Sequence, residues 1–341
     1  MIHLHFSQAI IQFLADHREV WLTRFFLAAS FLGDVTGFII IVTLIYTMVD
    51  KTLGVRLSVV LLLTMSLNHI LKIVIKNPRP FIRDGTYLHE WAVSRATALE
   101  LATEYSTPSG HAMAGAAFYS YLYAWTESRL VKVGAVALIA ITGLSRPYLG
   151  VHYVEDIVFG WSIGLFIGTA GLSSAARIER WWARFSYRRQ IAVAIGSSFA
   201  LWLATVAMNG WRIDGQPRAF LGYTGFLTGI VIGRPLELAI VDFDPKSLGV
   251  LAKAARYFFT VVLVIGVIEI LGALGKRIAP DFSTANYFCQ YLRYTAAGFT
   301  NIFLAPYLFT AIGLAESVRN SPGCILLPQK QPFVVDSRAS T

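Results

Sequence analysis

Charge is scarce in this chain. Only 14% of its 341 residues are Asp, Glu, Lys or Arg, 55% are hydrophobic, and the mean hydropathy is +0.58. That balance excludes an ordinary soluble domain. Cysteine is scarcer still: Cys289 and Cys324 are expected on opposite sides of a membrane, so neither a disulfide framework nor a cysteine metal site is implied. Strand-like alternation with closely spaced turns is missing, which excludes a barrel, and neither an internal repeat nor a low-complexity stretch is present. The net charge of +9 is scattered through loops, which argues against nucleic-acid binding. A basic start and a small-residue cleavage site are also missing, so the amino terminus is expected to be retained.

What the chain does have is a series of apolar runs near the roughly 20 residues that a spanning helix needs. They fall at 35–49, 54–75, 112–127, 132–149, 156–175, 190–209, 219–241, 257–275 and 292–316. The expected fold is all-α, a polytopic membrane bundle of about nine transmembrane helices. Residues 1–34 are expected as an interfacial segment, because Ile2, Phe6, Ile10, Phe13 and Leu14 fall near helical spacing among polar residues. Residues 35–175 hold every catalytic-looking motif. Residues 176–316 supply four further spans, and 317–341 read as a loosely ordered cytoplasmic tail. Arg177, Arg180, Arg184, Arg188 and Arg189, with Trp181 and Trp182, mark the cytoplasmic side, which puts the 76–111 and 146–156 connections outside. The long 81–107 connection carries Asp84, His89, Glu90, Trp91, Glu100 and Glu104, is expected to act as a lid, and suits a short interfacial helix at 88–102.

Three short strings carry the chemistry. In Lys72-x6-Arg79-Pro80 a lysine lies in the last turns of a span, where charge is costly and functional by default, and Pro78 and Pro80 stop the helix. Pro108-Ser109-Gly110-His111 precedes an apolar helix. Ser109 is a favourable N-cap, Gly110 admits close backbone approach, and the first N–H groups face an anion. In Ser145-Arg146-x5-His152-x3-Asp156 the i, i+4 spacing stacks the carboxylate under the imidazole, so that Asp156 accepts from Nδ1 and leaves Nε2 basic. Lys76 and Arg83 flank the first string at the wrong spacing and read as interfacial charges.

The ordered set K-x6-R-P, P-S-G-H, S-R-x5-H-x3-D resembles the type 2 phosphatidic acid phosphatase (PAP2) superfamily over roughly 30–175. The resemblance implies a membrane helical bundle with its site at the outer face and no cofactor or metal. It implies that His152 attacks phosphorus with Asp156 orienting it, and that Lys72, Arg79 and Arg146 hold the phosphate oxygens with Ser109 and the Gly110 N–H. His111 would protonate the leaving oxygen. The implied activity is hydrolysis of a phosphorylated lipid in the bilayer: phosphatidate, phosphatidylglycerophosphate, undecaprenyl diphosphate, or lipid A and sphingoid phosphates. A bacterial plasma membrane with the site facing the periplasm is the expected setting.

Other readings stay open on the residues. A phosphohistidine can be passed to a lipid acceptor as well as to water. The span count is similar to that of glucose-6-phosphatase. Glu269, mid-span, suits a transporter of phosphorylated lipid, or a carboxylate paired inside the bundle. The motifs select none of the lipids and are silent on oligomeric state.

Overall fold

The computed structural model describes residues 6–83, 92–102, 104–211, 219–280 and 283–318. Asp84, His89, Glu90, Trp91, Arg212 and the tail beyond 318 lie outside these, as do the side chains of Arg83 and Glu100. The described residues form helices in the order α1 Gln8–Asp16, α2 Val20–Phe31, α3 Val35–Leu44, α4 Lys51–Ile75, α5 Pro80–Arg83, α6 Arg95–Ala102 and α7 Gly110–Trp125. Next come α8 Arg129–Tyr148, α9 Val154–Trp182, α10 Tyr187–Met208, α11 Ala219–Leu236, α12 Val250–Ile278, α13 Thr284–Phe299 and α14 Ala305–Ala311. Single π-turns extend α3, α11 and α13. Among the described residues the sole strand-like pairing is an isolated bridge, Phe243 to Ser317. Of the interfacial helix expected at 88–102, α6 is the described part.

Among the described residues six helices are long and apolar enough to cross a membrane, and a seventh crossing arises if α2 and α3, bent by 58° at Gly33–Asp34, count together. The expected nine is not reached, for a local reason in each case. The third expected span folds as α7, 16 residues long, or about 24 Å at 1.5 Å per residue, shorter than a hydrocarbon core of about 30 Å. The last folds as α13, its π-turn and α14, and carries polar side chains such as Gln290, Arg293 and Asn301 along its length, which lower its hydropathy.

Helix α7 is the axis of the half that carries the three motif strings. Ala112, Met113, Ala114, Ala116, Ala117 and Phe118 are fully buried, so it is apolar all round rather than amphipathic. Its close partner is α9, whose Gly160, Gly164 and Gly168 recur every four residues on one face. A Cβ at Gly164 would stand 2.3 Å from the Met113 carbonyl oxygen, and one at Gly168 2.4 Å from that of Ala117. Small residues let two helices touch backbone to backbone, which is the main packing device where lipid surrounds the bundle. Here it brings the start of α7 beside the start of α9, and the Ser109 N–H donates to the Asp156 carbonyl at 3.1 Å.

The second half uses the same device on α11 and α13: Gly229 faces the Thr295 carbonyl and Gly298 that of Phe226. It is tied to the first half by Tyr46, whose hydroxyl donates to the Ile302 carbonyl at 2.8 Å, and by Thr43, which donates to Asn301 Oδ1 at 3.2 Å. At the amino-terminal side α1 buries Ile11 and Ala15 in a cluster with Tyr148, Val151 and Tyr153, while Phe6, Ile10 and Phe13 are exposed. Glu269 pairs with Arg293 at 3.8 Å and is three-quarters exposed, so it is not a carboxylate buried in the bundle.

Candidate active site

The ends of α4 and α8 and the starts of α7 and α9 meet at one end of the bundle, around a cavity of about 150 Å³. Six of the eight residues singled out by the motifs line it: Lys72, Arg79, Gly110, His111, Arg146 and His152. Ser109 and Asp156 lie behind them, both fully buried.

Helix α4 ends at Lys76, whose left-handed backbone (φ 55°) breaks the helix. The Lys76 side chain leaves the site and donates to the Met208 carbonyl at 3.3 Å. The chain then turns back, and Arg79, 1% exposed, reaches under the cavity. Its guanidinium donates to the carbonyls of Glu104 (3.2 Å) and Val151 (3.1 Å) and meets His152 Nε2 at 3.0 Å.

That last contact assigns the imidazole. A guanidinium has no acceptor, so Nε2 must accept, and a neutral His152 then carries its proton on Nδ1. Nδ1 faces Asp156 Oδ2 at 3.3 Å and Ser106 Oγ at 3.2 Å. Burial, then the charges of Arg79, Lys72 and Arg146, hold His152 well below the ordinary imidazole value of 6.5, so it stays neutral.

Asp156 is fixed from several directions. The hydroxyls of Ser106 and Thr107 both donate to it, and the Tyr153 N–H donates at 2.9 Å, closing the capping box of α9. One carboxylate therefore caps a helix and orients a histidine, and the two readings of an acidic residue at a helix start hold together.

Three polar atoms at the site have no hydrogen-bond partner among the described residues: Ser109 Oγ, Arg146 Nε and His69 Nε2. Ser109 holds the N-cap position of α7 without spending its hydroxyl on the cap. Arg146 gives one Nη to Ser30 Oγ. Buried unmatched donors are costly, by about 1–3 kcal/mol each, and mark a place built for an acceptor.

Sequence reasoning placed Glu104 among the loop acids and missed its position. Its Oε2 bridges Lys72 Nζ at 2.7 Å and Arg79 Nη2 at 3.4 Å. Burial works to raise its pKa, but the Lys72 and Arg79 charges and the Lys72 hydrogen bond outweigh it and hold the carboxyl down to about 2. Ser106, Thr107 and Asp34 were also missed. Asp34, at the α2–α3 bend, stands 3.9 Å from His111 Nε2. Asn77 pins the loop, accepting from the Ser106 N–H at 2.7 Å and donating to Thr107 Oγ1 at 2.8 Å. The one legible signal was adjacency, since Glu104, Ser106 and Thr107 immediately precede the Pro108-Ser109-Gly110-His111 string. Among the described residues no three His, Cys, Asp or Glu side chains are grouped to hold a metal.

Comparison with known proteins follows the same division of the chain. Residues 53–181 match the model of the PAP2 superfamily, and residues 221–317 match that of the PAP2 superfamily phosphatase transmembrane extension. Sphingosine-1-phosphate phosphatase 1 of Mus musculus is 24% identical over 297 residues, covering 78% of this chain and 66% of that protein's length. Phosphatidylglycerophosphatase B of Bacillus subtilis is 32% identical over 74 residues, 19% of this chain and 36% of that one. The crystal structure of a transmembrane PAP2 type phosphatidylglycerolphosphate phosphatase from B. subtilis aligns with a TM-score of 0.41 at 24% identity, over 50% of this chain and 85% of that one. With the three motif strings inside the first matched segment and a second helical unit inside the other, the chain belongs to the PAP2 superfamily and carries the transmembrane extension of its phosphatases.

Proposed function

We propose that this protein is a membrane phosphatase that hydrolyses a phosphorylated lipid without a metal ion, through a phosphohistidine on His152. The observation that supports it is the convergence on one cavity of an Asp156-oriented, neutral imidazole with the unmatched donor Arg146 Nε and the cations Lys72 and Arg79, with the unmatched Ser109 Oγ behind the Gly110 wall. In this reading Lys72, Arg79 and Arg146 spread positive charge over the equatorial oxygens, and the Ser109 hydroxyl and Gly110 N–H add hydrogen bonds.

The steps balance without further reactants. His152 Nε2 forms a bond to phosphorus as the bond to the lipid oxygen breaks, and His111, protonated once the phosphate anion is bound beside it, gives that oxygen its proton. His111 then takes a proton from water, the hydroxide attacks phosphorus, and the P–N bond breaks to release phosphate and restore His152. The Nδ1 proton stays between His152 and Asp156 throughout. The site would face away from the arginine-rich 177–189 end of the bundle, towards the outside of the membrane. A lipid substrate fits the apolar surroundings and the lipid phosphates named in the relatives, sphingosine 1-phosphate and phosphatidylglycerophosphate.

The test is phosphate release by the purified protein in detergent with EDTA present, on sphingosine 1-phosphate, phosphatidate, phosphatidylglycerophosphate, undecaprenyl diphosphate and glucose 6-phosphate. Release from a lipid in EDTA is expected. A strict need for added Mg²⁺, or release from glucose 6-phosphate alone, defeats the reading.

Glu104 makes a second prediction. Its carboxylate sits on the two cations that phosphate needs, so a phosphate dianion must displace it. Glu104→Gln is expected to tighten inhibition by orthovanadate about tenfold, the equivalent of one charge-assisted hydrogen bond no longer in competition. A Ki that stays the same or rises would show that Glu104 does not compete for the seat. The competition does not titrate under working conditions. A carboxyl held near 2 against an ordinary 4.5 contributes stability that is fully present above about pH 4.5 and is lost only as pH falls towards 2.

A further inference from the structure

A second cavity, of about 250 Å³, lies beside the first. The two share Gly33, Val35, Met65 and Tyr223 as walls, so they adjoin there. From that junction the second cavity runs along α3 from Val35 to Val42 and along α4 from Met65 back to Ser58. Seven residues on each helix give it a depth of about 10 Å. Its opposite wall comes from the transmembrane extension, through Tyr223 and Phe226 of α11 and Ile265 and Ile268 of α12.

Its chemistry differs from that of the phosphate cavity. The walls are mainly aliphatic and aromatic, and the polar groups lie at its limits. Glu269, three-quarters exposed and paired with Arg293, marks where the cavity reaches the bundle surface. At the deep end Asn301, fully buried, accepts from Thr43 through Oδ1, while its Nδ2 has no partner among the described residues.

We infer that this space holds the hydrocarbon chain of the substrate whose phosphate occupies the adjoining site, and that the transmembrane extension forms one wall of that chain site. The inference rests on the phosphatase reading for the identity of the headgroup. An alkyl chain can follow α3 and α4 inward from Met65 without leaving apolar walls, and its reach ends where the Asn301 amide would be desolvated against methylene groups. The extension would thereby set which chain lengths the enzyme accepts.

The first arm of the test does not depend on turnover. Dodecylphosphonate carrying a diazirine at mid-chain is photolysed with the purified full-length protein, and the labelled residues are mapped by mass spectrometry. Labels on α3, α4 or α11 residues of the cavity are expected, lost with excess unlabelled dodecylphosphonate. Labels confined to lipid-facing surfaces would overturn the inference, whether or not the protein hydrolyses phosphate esters.

The second arm compares ethyl and dodecyl phosphate. Ile39→Trp, which fills the middle of the cavity, should raise KM for dodecyl phosphate at least tenfold and leave ethyl phosphate within twofold. Micelle partitioning is common to both proteins and cancels. Val42→Phe, at the deep end and far from the phosphate, should shift the preferred chain to a shorter one. An unchanged chain-length profile in active Val42→Phe protein overturns the inference even where Ile39→Trp fails to fold. Failure of the phosphatase reading would appear differently, as no phosphate release from any ester by the wild-type protein.

Discussion

His152→Ala is expected to lower kcat by at least about 10⁴-fold while the protein melts within a few degrees of wild type. The size follows from the proposed role: His152 is the cavity imidazole whose Nδ1 faces the buried Asp156 carboxylate, and removing a covalent nucleophile leaves only the contribution of binding and oxyanion stabilisation. The small structural cost follows from the neighbours. Asp156 keeps the Ser106 and Thr107 hydroxyls and the Tyr153 N–H after the imidazole is gone. Arg79 keeps the Glu104 and Val151 carbonyls. Steady-state phosphate release measures the first effect and thermal melting the second. A phosphoenzyme trapped in wild type during turnover should be absent from the variant. Turnover within tenfold of wild type would remove the covalent mechanism, and trapping of a phosphoenzyme in the variant would move the nucleophile elsewhere.

Arg79→Lys is expected to cost about 10²- to 10³-fold in kcat/KM, the range for removing one preorganised donor from an oxyanion site. The charge survives, but the fork does not. Arg79 holds two carbonyls, the Glu104 carboxylate and His152 Nε2 at once from a planar group, whereas an ammonium is a compact point charge with three donors on a flexible stem. Lysine cannot hold the loop at Glu104 and the strand of chain at Val151 while also meeting phosphate. Arg79→Ala should add a loss of stability, because the Glu104 and Val151 carbonyls and the Glu104 carboxylate lose a buried charged partner, each worth about 1.5–3 kcal/mol. The measurement is kcat/KM on the best lipid from the panel, with orthovanadate inhibition and a melting curve for each variant. Wild-type kinetics in Arg79→Lys would mean that charge alone suffices at this position.

Glu104 links these expectations. On the proposed mechanism two interactions are exchanged when phosphate enters: the Glu104 carboxylate leaves Lys72 and Arg79, and the Arg79 donor on His152 Nε2 turns to a phosphate oxygen. Arg79 takes part in both, so its substitution and that of Glu104 should be non-additive in vanadate binding.

The helices, and the grouping of chemistry into three strings, could be read from the sequence because both are short-range. An apolar run of about 20 residues is itself the reason a helix can sit in lipid, and the i, i+4 spacing of His152 and Asp156 is itself the reason the two side chains stack. The same logic placed Lys72 near a helix end and Ser109 at a helix start. Tertiary structure decided what depends on residues distant in the chain. Helix α7 reads as a span, yet it is short and buried from Ala112 to Tyr121, because the four-residue glycine repeat of α9 fits against it, and no hydropathy window records what a neighbour's backbone does. Ser106 and Thr107 look like ordinary loop hydroxyls until the close α7–α9 packing sets them against Asp156, some 50 positions away. Glu104 was one acid among several, and only the reversal of the chain after Lys76 and the pinning of the loop by Asn77 carry it onto Lys72 and Arg79. The extension had no deducible purpose as a string of apolar residues. Folded, it places Tyr223 at the junction of the two cavities. Local periodicity is a property of one segment, whereas a cavity and its unmatched donors belong to several segments at once and exist only when all of them have packed.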